Sequence, residues 1–325
     1  MAIKISHRPC KNIIFNAALV MVSLITAVGL VEGCLRWFAP RATFGTATEL
    51  PWMRNVTQDP NGLFTIDEEF GFRPNLGNGI YNEYGTLQNS YKIEKSPHKV
   101  RLLFLGDSVT ARGRIIEALR RIYGEEKFEY WNAGVESFNT VQEAAFYKRY
   151  NYQIKPDHVI LTFHLNDFET TPIAFFDQKK RLVVYAPKQP LKEMSPWLFR
   201  NSFLYRFTLR LLQHQNEDRK KIIQEVRGSL VDLKSLLDRD KTPFTVLVLP
   251  LIKPYSQWNR EEKELRETII QILQKEQIRY FDLSLSLEDA LQQGLTLRED
   301  SREDWHPNDR AAAILATYLA GQQVL

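Results

Sequence analysis

"RLLFLGDSVTARG", running from Arg101 to Gly113, decides the fold. Leu102 to Leu105 are apolar without alternation, as required of a strand buried on both faces of a parallel sheet. The run stops on Gly106, Asp107 and Ser108, and from Arg114 "RIIEALRRIY" takes up helical spacing. A hydroxyl at such a junction has two readings. It is either a cap for the first-turn amides of a helix or a reactive group at the carboxyl edge of a sheet, where open α/β sheets bind their ligands.

Working outward, the same alternation repeats. "KFEYWNAG" (127–134) reads as a second strand, "TVQEAAFYKRYNY" (140–152) as a helix, and "DHVILTFHLND" (157–167) as a third strand with polar residues at its end. Later come the helix "RKKIIQEVRGSLVDLKSLL", the strand "PFTVLVLPL", the helix "NREEKELRETIIQILQKE", the short strand "IRYFDLS" and a last helix, "NDRAAAILATYLA". Strands alternating with helices of this length predict an α/β fold over residues 98–325, a three-layer sandwich around a mainly parallel sheet. The stretch from Thr170 to His214 breaks the pattern and reads as an insertion over the carboxyl edge of the sheet. Covering the core is its expected role, with contact to substrate or membrane as the alternative.

Ahead of this domain, Ile13 to Val31 form a run of 19 residues without a charge. That is enough to cross a bilayer as a helix. Lys4, Arg8 and Lys11 precede it, so the positive-inside bias predicts a cytoplasmic tail (1–12), a transmembrane signal anchor (13–31) and an extracytoplasmic C-terminal domain. No A-x-A cleavage site follows the run, and "LVEGC" (30–34) resembles a lipoprotein cleavage site only with Glu32 ill placed in it. Residues 32–97 are rich in Pro, Gly and Asn and read as a stalk and hairpin-rich segment. Asn55-Val56-Thr57 has the form of a glycosylation sequon, a match common by chance.

Composition narrows the function. Charged residues are 25% and hydrophobic ones 44%, with a formal net charge of +4. This is a globular balance with no basic footprint for nucleic acid. Cys10 and Cys34 lie outside the globular part, so neither a disulfide framework nor a cysteine zinc site is expected. His7, His98, His158, His164 and His214 show no metal-ligand spacing, and no Gly-rich phosphate loop occurs. Neither metal nor cofactor is expected.

Attention therefore falls on the strand ends. Gly106, Asp107, Ser108 and Thr110 follow the first strand, and Asn132, Ala133 and Gly134 the second. His164, Asn166 and Asp167 follow the third, and the loop before the last helix holds Asp304, His306 and Pro307 in "REDWHPND". A hydroxyl, a glycine amide, a carboxamide and an imidazole beside acids are the parts acyl transfer needs.

These blocks resemble those of the SGNH/GDSL hydrolase superfamily over roughly Val100 to the C-terminus, and a membrane anchor ahead of them resembles its bacterial, surface-polysaccharide members. "FLGDSVT" matches the nucleophile block through Ser108, "NAGVES" the glycine block through Gly134, "HLND" the asparagine block through Asn166, and "DWHPND" the base block through His306. The resemblance implies a flavodoxin-like sandwich and a Ser108–His306 pair oriented by Asp304 or Glu303. It also implies an oxyanion hole made by Ser108, Gly134 and Asn166. Two positions depart from the pattern. His164 stands where the family has glycine, and the acid three residues before the histidine is Glu303, with Asp304 at two and Asp300 at six. The implied function is a serine esterase acting on an acylated, O-acetylated carbohydrate or a small ester. An O-acyltransferase, a lipid esterase and a non-catalytic module of an envelope polysaccharide assembly are the alternatives. The partners implied are the acylated carbohydrate or small ester and, through the N-terminal helix, the lipid bilayer; nucleic acid is not among them.

Overall fold

In a computed structural model, residues 9–38, 62–169, 171, 173–176, 182–185, 195–213, 219–299 and 306–325 are described. In chain order the elements begin with helix α1 (Pro9–Phe38) and the strands β1 (Phe64–Asp67), β2 (Gly71–Pro74) and β3 (Val100–Gly106). Next are α2 (Ser108–Ala111), α3 (Arg114–Tyr123), β4 (Phe128–Gly134), α4 (Thr140–Arg149) and β5 (His158–Phe163). The segment that breaks the alternation holds β6 (Ile173–Phe176), β7 (Leu182–Tyr185), α5 (Pro196–Asn201) and α6 (Phe203–Gln213). The remainder comprises α7 (Arg219–Arg239), β8 (Phe244–Val248), α8 (Arg260–Lys275), β9 (Arg279–Asp282), α9 (Glu288–Gln292) and α10 (Asp309–Gly321).

Five strands form one parallel sheet in the order β4-β3-β5-β8-β9. The all-apolar runs of β3 and β5 are explained by burial on both faces. Leu103 and Leu105 of β3 point into a core shared with α4, α7 and α8. Their neighbours Leu102 and Phe104 point into a second core with α3 and α10. Successive side chains on a strand face opposite ways, so one unbroken apolar run serves both layers. The strand order reverses between β3 and β5, and at that switch point a crevice opens at the carboxyl ends.

Two features fix what surrounds this edge. The β1–β2 hairpin buries Phe64, Phe70 and Phe72 against Phe138 and Phe146. Arg101, 1% exposed, ties the segment before β3 to the sheet: its guanidinium donates to Glu129 Oε2 (2.7 Å) and to the carbonyls of Lys92, Ile93 and Ile154. α1 extends beyond the span expected from sequence, reaching Phe38, and its residues from Ile13 on pack into neither core.

Candidate active site

The end of β3 is shaped by two glycines. Gly106 has φ +155°, and a Cβ there would meet the hydroxyls of Thr110 and Thr162 at 2.1 and 2.2 Å. The two threonine hydroxyls hydrogen-bond each other in that space, tying α2 to β5. On the other side, a Cβ on Gly134 would lie 2.2 Å from the Ala111 amide nitrogen. β4 can approach α2 only because that position has no side chain.

Asp107 caps α2. Its Oδ1 accepts from the Val109 amide at 2.8 Å and its Oδ2 from Asn166 Nδ2 at 3.2 Å. So the acid of the "GDS" motif holds the turn and reaches across the switch point to the carboxamide. Ser108 follows, half-buried at the first position of α2. Its Oγ lies 2.8 Å from His306 Nε2. The two residues are 198 apart in sequence, and a serine that served only as a cap has no need of that contact.

His306 is held by both ends of its loop. The Glu299 amide donates to the His306 carbonyl at 3.1 Å, and Arg298 and Pro307 form an antiparallel bridge. Asn308 then caps α10 through the Ala311 amide and donates its Nδ2 hydrogens to the Thr296 and Arg298 carbonyls. Arg112 and Arg114 both pair with Glu299, fastening the same loop end to the α2–α3 corner. The two candidate acids, Asp304 and Glu303, lie outside the described residues, as does Asp300.

Asn166 sits in a single 3-10 turn, Leu165–Phe168, directly after β5. Its Oδ1 is 2.7 Å from His164 Nδ1, so with this carboxamide orientation the imidazole carries its proton on Nδ1 and donates it. Nδ2 has two hydrogens; one goes to Asp107, leaving the other for an incoming group. His164, which replaces the family's glycine, is extended backbone (φ −112°, ψ 157°), a shape open to any residue. It therefore distorts nothing and serves to orient Asn166. Sequence reasoning did not find this role, since only the ring contact reveals it.

Gly134, expected to lend its amide to an oxyanion, is hydrogen-bonded through both its amide and its carbonyl. Its amide donates to Asn132 Oδ1 at 2.9 Å and its carbonyl accepts from Tyr81 Oη. The amide expected to serve an oxyanion is thus already committed. The turn that follows holds Ser137 at φ +60°, a left-handed conformation uncommon for serine. Ser137 is exposed, and among the described residues nothing accepts its N–H. No sequence signal marked it, because serine does not advertise a left-handed turn.

Beneath Asn166 lies a pair of buried acids. Asp167 Oδ2 accepts from the His164 amide at 2.7 Å, while its Oδ1 has no partner among the described residues. Glu143, on α4, is 3% exposed, and neither of its carboxylate oxygens has a protein donor. Burial, reinforced by the charges of Asp167 and Asp107, pushes the Glu143 carboxyl well above the usual range. His158 is unrelated to the site: it bonds Thr245 in the core, where burial pulls its pKa down to about 4. A small apolar pocket adjoins the site, lined by Val109, His164, Leu249, Ile252 and Pro307 among others. Among the described residues no cluster has the makings of a metal site.

Comparison with known proteins accords with this chemistry. No curated protein shows a significant match to the sequence. Among solved structures, an acetylxylan esterase from Geobacillus stearothermophilus is similar at 16% identity and a TM-score of 0.45, over 69% of this chain and 95% of that one. An α/β-hydrolase enzyme from the metagenome of Lake Arreo is similar at 15% identity and a TM-score of 0.46, over 69% and 95%. Likenesses this distant carry no substrate and no mechanism. The sequence profile of the GDSL-like lipase/acylhydrolase family, by contrast, matches residues 104–314, well over half of the chain, and takes in all four strand-end segments. The chain belongs to the GDSL-like lipase/acylhydrolase family and is a serine ester hydrolase of the SGNH type.

Proposed function

We propose that the protein removes ester-linked acyl groups, O-acetyl groups foremost, from an extracytoplasmic carbohydrate, with its N-terminal helix as membrane anchor. Ser108 Oγ attacks the ester carbonyl while His306 Nε2 takes its proton and then passes it to the departing sugar hydroxyl. Water, activated by the same imidazole, attacks the acyl-enzyme and releases the acid, restoring Ser108. Asp304 holds the imidazole tautomer, with Glu303 as the alternative acid. The oxyanion is bound by the Ser108 amide, the second Asn166 Nδ2 hydrogen and, in place of Gly134, the Ser137 amide.

The observation that carries this reading is the 2.8 Å contact between Ser108 Oγ and His306 Nε2. It lies at the switch point of the sheet, next to a carboxamide with a hydrogen to give. The small size of the adjoining apolar pocket favours a short acyl chain over a long one. The exposed apolar helix ahead of the domain and the basic residues before it support the anchor and the extracytoplasmic location.

The test is acetate release from an O-acetylated polysaccharide by the full chain and by Ser108→Ala. A drop of 10³-fold or more is expected, on the order of losing a covalent nucleophile. Equal release by both proteins overturns the serine mechanism. Release from activated esters but from no polysaccharide overturns the substrate class alone.

A further inference from the structure

The anchor and the segment inserted after β7 are joined by a set of polar contacts that neither needs for its own helix. α6 begins at Phe203, and Ser202 caps it in the ordinary way, its Oγ accepting from the Tyr205 amide at 3.1 Å. The first two amides of α6, Phe203 and Leu204, instead donate to Glu32 of α1, each at 2.8 Å. The Ser202 hydroxyl donates to the same carboxylate at 3.0 Å. Arg36, one turn further along α1, donates Nε to Glu32 and Nη2 to the Asn201 carbonyl at 2.5 Å. Its guanidinium lies 5.0 Å from the centre of the Phe203 ring, and Arg206 stands 4.6 Å from the same ring. A carboxylate 170 residues away in sequence thus completes the N-terminus of α6.

The level of this junction follows from helix geometry. The uncharged run ends at Val31. With about 1.5 Å rise per residue, Glu32 stands ~1.5 Å and Arg36 ~7.5 Å beyond it. The polar layer on each side of a bilayer core is roughly 5–7 Å deep. If α1 spans the membrane, Glu32 and Arg36 lie within or at the rim of the headgroup layer, and so does the start of α6. α5 ends at Asn201, the residue Arg36 holds, so Trp197 is one helical turn from the same level. Trp197 is 69% exposed and Leu198 36%, while Trp37 and Phe38 at the end of α1 are 83% and 80% exposed. Exposed aromatic rings beside the end of a spanning helix are what a membrane–water boundary retains.

We propose that α5 and the start of α6 form an interfacial collar on the lipid bilayer, with Trp197 in the headgroup region and Glu32 as the bolt joining collar to anchor. The occupant of this apolar face is lipid, because α6 packs on α1, whose own apolar surface is exposed along its length. The inference rests on the anchor reading above. It adds that the hydrolase domain is fixed to the membrane surface at a second point and does not swing on a free tether.

The full chain, with Cys10→Ser and Cys34→Ser as background, is reconstituted in vesicles containing brominated phosphatidylcholine. An environment-sensitive fluorophore is attached in turn to Trp37→Cys and Trp197→Cys, both exposed positions. Quenching by the brominated lipid at both positions is expected. Adding Glu32→Ala should cut quenching at position 197 at least threefold and leave position 37 unchanged. Quenching at 37 without quenching at 197 overturns the collar while the anchor stands. No quenching at either position overturns the anchor reading along with the collar. Undiminished quenching at 197 in Glu32→Ala overturns the role of Glu32 as the bolt.

Discussion

Glu143 has the most unusual environment of any residue near the site. It is buried on α4 below the 3-10 turn that carries Asn166, close enough to Asp167 and Asp107 to feel both charges. Burial and the neighbouring charges push the carboxyls of both Glu143 and Asp167 well above the usual range, and neither oxygen of Glu143 has a donor. The sign of the pH effect follows. An unfolded glutamate ionises near pH 4.3, whereas the folded one keeps its proton to higher pH. Above that lower value the folded state binds more protons, and stability declines as pH rises. Glu143→Gln mimics the neutral acid and removes the share of this dependence that Glu143 contributes. Chemical denaturation across pH 5 to 9 should show a shallower decline for Glu143→Gln than for the natural chain, and greater stability at pH 8. Identical slopes would mean that Glu143 is ionised in the folded protein. The strand-end positions and family likeness of Ser108 and His306 led to the expectation that the two meet, and the structure brings them to 2.8 Å; their catalytic roles belong to the proposal. Spacing reveals a glycine at position 134 but not that its amide bonds Asn132 Oδ1.

Among the elements, the parallel strands were the easiest to read. "VRLLFLG" and the helix "RIIEALRRIY" appear with the bounds that the sequence suggested, since unbroken apolar runs and a 3.6-residue period each have one economical burial. The inserted segment was not legible in this way. Its hairpin β6–β7 buries Ala174 with the β1–β2 aromatics, but α6 is completed by a carboxylate from the other end of the chain. No local pattern encodes a cap that distant. Arg101 shows the same limit within a strand, a charged residue in an otherwise apolar run whose ionic partner Glu129 stands 28 residues away. Arg101→Met leaves Glu129 buried with only Trp131 Nε1 as a donor and strips a partner from three carbonyls. The cost should be about 3–5 kcal/mol, typical for breaking a buried ion pair from one side. A denaturation midpoint that moves by less than about 1 kcal/mol equivalent would show that the pair does not hold the pre-β3 segment to the sheet.

At the scale of the whole molecule, the fold gathers four short segments onto one edge of a sheet. Ser108 comes from the end of β3, the 135–138 turn from the end of β4, Asn166 from the end of β5, and His306 from a loop pinned on both sides before α10. Each segment has an ordinary structural explanation on its own, and only the assembly excludes it. The order β4-β3-β5 makes the assembly possible, because the switch point lies between the strands that carry the serine and the asparagine. The most direct test is covalent. The full chain in detergent, treated with a fluorophosphonate and digested, should yield one modified peptide with the phosphonyl group on Ser108, formed far more slowly in His306→Ala. A phosphonyl group on another residue, or persistent ester hydrolysis with Ser108 unmodified, would contradict the account.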